Sequence, residues 1–151
     1  MRRGLLRRAR GQRGQALLEM AFTLPLLLLV CVGILEFGRA YQTWQVLTNA
    51  AREGARLSVL PGMDDAAVKD RVREYMSAGR LNKAMDATVK VDVDRAQTVS
   101  IGGGATAPAS QVKVTYPFDF VVLDPIARLA TGWGPGSSLN MVASATMRNE
   151  S

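Results

Sequence analysis

The sequence predicts an α+β protein in which a long amino-terminal helix precedes a small antiparallel sheet and one further helix. Two observations carry this. An apolar run from Ala16 to Leu35 passes without a break into a stretch with helical spacing, and after Ala87 the apolar period falls from about 3.6 to 2. A third observation, the placement of charge, sets the organisation. Arg2, Arg3, Arg7, Arg8, Arg10 and Arg13 precede Gly14 with no acid among them, and the remainder holds 13 acidic residues against an equal number of basic ones, so the formal charge of +6 belongs to the leader. The chain divides into a basic leader over 1–14, a transmembrane helix over 15–35, a continuation of that helix over 36–60 and a small soluble domain over 61–151.

Ala16 to Leu35 holds Glu19 as its only strongly polar residue, and at a rise of about 1.5 Å per residue the run spans about 30 Å, the thickness of a bilayer's hydrocarbon core. The arginines ahead of it keep the amino terminus in the cytoplasm by the positive-inside rule, which exports everything after Leu35. The predicted location is the inner (cytoplasmic) membrane, single pass, N-in and C-out. A cleaved secretory signal is the rival reading. Its apolar core is normally roughly 7 to 15 residues, shorter than Met20 to Leu35, and the best site behind it, Gly38-Arg39-Ala40, is poor. Cys31, the only cysteine, lies in the apolar run and reads as a small hydrophobe.

Glu36 to Leu60 contains no proline, and Phe37, Tyr41, Trp44, Thr48, Ala51 and Ala55 recur at spacings of three and four, which predicts one amphipathic face. With the apolar run this makes a single helix of about 45 residues, roughly 65 Å long. Tyr41 and Trp44 fall where interfacial aromatics are expected. Ala50, Gly54 and Ser58 form a row of small residues that lets another backbone approach closely, either the chain's own sheet or another subunit.

Pro61-Gly62 ends this helix, and Asp64 or Asp65 caps a second one that runs to about Ala78. Ala67, Val68, the stem of Arg71, Val72, Tyr75 and Met76 share one side of it, and Gly79 supplies the stop. Beyond Ala87, Val89, Val91 and Val93 alternate with polar residues, as do Val112, Val114 and Tyr116, and Leu139, Met141, Ala143, Ala145 and Met147. These read as three strands with one wet face, hence antiparallel. SIGGGATAPAS between the first two reads as a flexible loop or hairpin connection, and Asp124-Pro125 starts a short helical turn before the third.

Composition narrows the function. The net-neutral body has no basic stripe with interleaved aromatics, which argues against nucleic acid. The absence of histidine removes the commonest general base and metal ligand, and Cys31 is out of reach of the exported domain. Asp92 and Asp94 alternate on a strand and point to water rather than to a cation, and Gly102-Gly103-Gly104 matches neither a dinucleotide fingerprint nor a phosphate loop. No catalytic residue, cofactor or metal is expected, and the chain is not expected to be an enzyme.

Glu19 remains. A carboxylate in lipid costs about 2.5–3.5 kcal/mol at the bilayer centre and less near the edge. On one reading it snorkels to the headgroups. On the other, a cut after Gly14 leaves Gln15 with a new α-amino group, and Glu19 stands one helical turn away, near the positive end of the helix dipole.

The stretch RGQALLEMAFTLPLLLLVCVGILEFGRAYQTWQVLTNAAREGARLSV, residues 13–59, closely resembles the TadE-like pseudopilins of the Tad (tight adherence, type IVc or Flp) pilus system, and VKVTYPFDFV with LNMVASATMRNES resembles that family's carboxy-terminal region. The resemblance implies a pilin-like fold and a prepilin peptidase that cuts after a glycine five residues ahead of a glutamate. Gly14 and Glu19 occupy those positions, which makes Gly14-Gln15 the scissile bond, and Met20 stands where the family usually has an aromatic residue. A soluble domain past residue 60 points to a minor subunit rather than the much shorter major pilin. The expected partners are the prepilin peptidase, other pilin-like subunits with the pilus assembly machinery, and membrane lipid. The alternative is a single-pass envelope domain that binds a protein partner without entering a pilus.

Overall fold

The computed structural model describes residues 5–122, 124, 125 and 139–149, with side chains from Gly14 onward. Helix α1 is Leu5–Ser58, α2 is Asp65–Ala78, and the strands are β1 Lys90–Gly102, β2 Ala105–Phe118 and β3 Leu139–Arg148. The sheet has the order β1-β2-β3 with both pairings antiparallel. The α+β architecture follows, with α1 lying on β2 and β3, and α2 over β1 and against α1.

α1 is one helix from the leader through the apolar run into the domain. Pro25 lies within it and lacks the N–H that bonds the carbonyl four residues back; Thr23 Oγ1 donates to the Glu19 carbonyl at 3.0 Å just ahead. From Gly14 to Leu35 no residue is buried, and burial begins at Glu36. Thr43, Leu47, Ala50, Ala51, Gly54, Ala55 and Ser58 continue the stripe at helical spacing. The predicted face is thus corrected. Ala51 and Ala55 do reach the core, but Phe37, Tyr41 and Trp44 are exposed. The small residues let α1 sit close to the sheet, and that choice turns the bulky aromatics outward.

α2 forms as expected. Asp64 is its N-cap, with the side chain accepting from the Ala67 N–H at 2.8 Å, and Val68, Val72 and Met76 are its buried residues. Ala67 and Tyr75, predicted for the same side, are exposed. The C-terminal stop differs in mechanism from the expectation. Gly79 has an ordinary φ of −74°, and the left-handed residue is Arg80 at φ 62°. Gly79 is needed for space: a Cβ there would lie 2.5 Å from Val46 Cγ1 on α1.

The hairpin is longer than the alternation implied. Most of SIGGGATAPAS is paired strand, with Ser100 opposite Thr106 and Val99 opposite Ala107, and the turn is confined to Gly102-Gly103-Gly104 at its tip, all with positive φ. β-branched Val99, Ile101 and Thr106 favour extended backbone despite the poor apolar alternation around them. One extra residue enters β1 between Asp94 and Gln97, a β-bulge. There the Asp94 carboxylate accepts from Gln97 Nε2 at 2.6 Å and from the Ala96 N–H at 2.9 Å. The Gln97 bond first, and the Ala96 bond second, hold the Asp94 carboxyl below its usual range. A depressed carboxyl adds stability above the unfolded-state value of about 3.9 and loses it as pH falls through the lower folded value. An NMR titration of Gln97→Ala is expected to move the Asp94 midpoint upward relative to the parent protein.

The core joins Leu47, Ala50, Ala51 and Ala55 of α1 to Val68, Val72 and Met76 of α2 and to Val91, Val112, Val114, Tyr116, Phe118 and Ala143 of the sheet. Asp92 and Asp94 face water, as the alternation requires. Asp124 and Pro125 are helical, and the rest of the predicted turn lies outside the described residues.

Candidate functional site

The sequence-predicted processing residues sit on the uncovered part of α1. Gly14, Gln15, Glu19 and Met20 are all exposed and lie on consecutive turns of the same helix. A glycine inside a helix is disfavoured by about 1 kcal/mol relative to alanine. Nothing among the described residues requires it at Gly14, where an added Cβ would meet no atom within 4 Å. Its own fold therefore gives no reason for that glycine. Gln15 and Glu19 are four residues apart, so they share one face of α1.

The segment that follows has the properties of a membrane span. Gly14–Ser58 contains a window of mean hydropathy 2.3, none of it buried inside the chain, which is long and apolar enough to cross a bilayer. Leu17, Leu18, Phe22, Leu26 and Leu27 are all exposed around its circumference. A helix that is apolar on every side and uncovered needs lipid or other helices around it.

Ala50, Gly54 and Ser58 lie elsewhere. All three are buried in the chain's own core, and a Cβ on Gly54 would fall 2.5 Å from Val72 Cγ2 and 3.1 Å from Val112 Cγ1. The close approach that the small row permits is made by α2 and β2 of the same chain.

Two polar clusters were not singled out by sequence reasoning. At the first, Glu36 is 3% exposed; its Oε2 accepts from Arg39 Nη1 at 2.9 Å, and its Oε1 accepts from the backbone N–H groups of Val121 at 3.0 Å and Val122 at 2.9 Å. The Arg39 guanidinium lies 5.4 Å from the centroid of the Phe118 ring, and Phe118 meets Phe120 edge to face at 5.2 Å. Two adjacent backbone N–H groups converging on one carboxylate oxygen form an anion-binding turn. The available signal was an acid immediately after the apolar run with an arginine at i+3. Its partners, 85 and 86 residues away, were not legible.

Beside this cluster lies a concavity of about 350 Å³, whose lining includes Arg39, Gln42, Arg80, Lys83, Tyr116 and Asp119. Lys83 pairs with Asp119, and the Tyr116 hydroxyl donates to Asn82 Oδ1 at 3.1 Å.

At the second cluster Arg95, on the β1 bulge, donates to the Ser58 carbonyl at 2.7 Å, the Met63 carbonyl at 2.8 Å and Asp65 Oδ1 at 2.8 Å. It closes the end of α1 against the start of α2. Among the described residues no three histidine, cysteine, aspartate or glutamate side chains gather as metal ligands would.

No curated protein and no solved structure matches the chain. The model of one family does match, over residues 14–56, and it is described as TadE-like protein. The matched stretch begins at Gly14 and ends two residues before the end of α1, so it takes in the uncovered apolar half and the small-residue half together. It associates the chain with the Tad pilus system. Over residues 14–56, most of its candidate membrane span Gly14–Ser58, the chain is similar to the TadE-like family.

Proposed function

We propose that the chain is a minor pilin-like subunit, a pseudopilin, for assembly of a Tad/Flp-type pilus, cut by a prepilin peptidase between Gly14 and Gln15 and having no reaction of its own. The observation that carries this reading is the uncovered apolar length of α1, on which Gly14 and Glu19 stand at the processing spacing. Before the cut, the leader arginines hold the amino terminus at the cytoplasmic face. The cut removes them and creates an α-amino group on Gln15 that is mostly cationic at neutral pH.

Glu19 is one turn from that amine and at the positive end of the shortened helix. In lipid an ammonium and a carboxylate attract strongly, and either one unpaired is costly. A free subunit shares both groups with headgroups and water. In a bundle of packed spans, the amine of one subunit meets the acid of another, which sets their axial register. The exported domain then rides on the outer half of α1.

The test is the amino terminus of the protein extracted from membranes of cells that carry the pilus system, mapped by mass spectrometry. The expected terminus is Gln15. A retained leader, or a terminus at Tyr41 as a secretory signal would leave, overturns the reading. Glu19→Ala is expected to be poorly processed or to fail in assembly; normal piliation with that variant leaves snorkelling as its role.

A further inference from the structure

The Glu36 cluster poses a question that the span alone does not answer. A buried carboxylate is used to fix the backbone of Val121 and Val122, yet their side chains are 63% and 39% exposed. Nothing among the described residues covers them. Their height on the molecule supplies the reason. Glu36 directly follows the last residue of the apolar run, so the carboxylate stands where the hydrocarbon core gives way to headgroups. Two hydrogen bonds from neighbouring N–H groups hold the valine pair at the level of Glu36, whose chain neighbours Leu35 and Phe37 are 69% and 66% exposed.

We propose that Val121 and Val122 form a second membrane contact, docked into the outer lipid interface next to the span and locked there by Glu36. The inference rests on the reading of α1 as a membrane span. Lipid fits this surface for three reasons. Ile34, Leu35 and Phe37 flank Glu36 on the helix and are exposed, as are Val121 and Val122, whose backbone Glu36 holds. The N–H groups of Val121 and Val122 are satisfied internally by Glu36, as backbone donors at membrane depth must be. Arg39, Arg80 and Lys83 line the concavity that Val121 also borders. Arg39 is four residues past Leu35, about 6 Å further along the axis, which is headgroup depth. Glu36 and Asp119 partly neutralise that rim, so the apolar contact is the main one. Anchored at two points, the domain cannot swing freely about the span.

The experiment uses the full chain in a Cys31→Ser background, reconstituted in vesicles of phosphatidylcholine and phosphatidylglycerol. An environment-sensitive fluorophore is attached at Val121→Cys, at Leu27→Cys within the span, or at Ser100→Cys near the hairpin tip. The expected result is blue-shifted emission at positions 27 and 121, with position 121 quenched by nitroxide lipids labelled near the head of the acyl chain and position 100 unquenched. Glu36→Ala is expected to return the label at 121 to water-like emission while leaving that at 27 unchanged. Water-like, unquenched emission at 121 with a quenched label at 27 overturns the proposal and leaves the span standing. Equal quenching at 121 and 100 also overturns it, because the whole domain then lies on the lipid. If 27 is unquenched as well, the span reading fails and the proposal with it. Should Glu36→Ala unfold the domain, judged by loss of near-ultraviolet circular dichroism, the three labels on the otherwise unchanged chain still decide.

Discussion

Gly54→Val is expected to abolish cooperative folding of the α+β domain while leaving the apolar half of α1 helical. An ideal Cβ at residue 54 would lie 2.5 Å from Val72 Cγ2 and 3.1 Å from Val112 Cγ1. Neither neighbour yields easily. Both valines are wholly buried, and a β-branched side chain has few rotamers to escape into. Overpacking of this kind typically costs about 1–3 kcal/mol for the first added carbons and more when backbone must shift. Valine adds two further carbons at a point where α1, α2 and β2 meet. The loss is expected to exceed about 3 kcal/mol, a large part of what a domain of this size holds in reserve. Gly54→Ala adds only the Cβ and recovers roughly 1 kcal/mol of helix propensity, so a smaller loss is expected. Thermal melts in detergent, followed by near-ultraviolet circular dichroism, separate the three proteins. A Gly54→Val protein that melts with the parent means that α1 does not rest on α2 and β2 in this register.

Arg95→Ala is expected to lower domain stability by about 2 kcal/mol, or about 10 °C in Tm for a domain of this size. The guanidinium reaches Ser58, Met63 and Asp65, so one side chain closes the last turn of α1, the connecting loop and the first turn of α2. Its ion pair with Asp65 is largely exposed, at 38% and 50%, and contributes little. The larger share comes from the carbonyls, because Ser58 is buried and its C=O belongs to a helix end that has no intrahelical donor. Arg95→Lys is expected to recover less than half of the loss, since an ammonium on a flexible stem cannot hold three acceptors in a planar fork. Full recovery by lysine would mean that charge alone, placed near the helix C-terminus, accounts for the effect.

These two positions mark where sequence reading succeeds and where it stops. The small row Ala50, Gly54 and Ser58 was visible because residues four apart share a helix face, and it announced a close approach without saying to what. The long helix, α2 and the three strands were legible because each is written in local periodicity, whereas the choice of Asp64 over Asp65 as the cap of α2 came only with the structure. The face of α1 between Phe37 and Thr48 was misjudged because aromatics weigh heavily in any apolar pattern. The sheet, however, selects for short side chains, and Phe37, Tyr41 and Trp44 are left on the exposed side. Gly79 ends α2 as its position predicts, but what requires a glycine there is clearance from Val46 and not a left-handed φ. Arg95 and Glu36 could be found only in three dimensions. Each is a charged residue in a stretch that scores as ordinary surface, and each acquires its role from backbone groups brought to it by the chain's long-range pairing.

Helix α1 carries a consequence for assembly. Beyond Pro25 no proline interrupts it before Ser58, so span and domain share one screw axis, and each residue turns the axis by about 100°. The azimuth of the sheet around that axis is therefore dictated by which side of the span faces its neighbours. If the proposed spans pack as a bundle, the direction in which each domain looks outward is decided along the apolar half of α1, before any two domains touch.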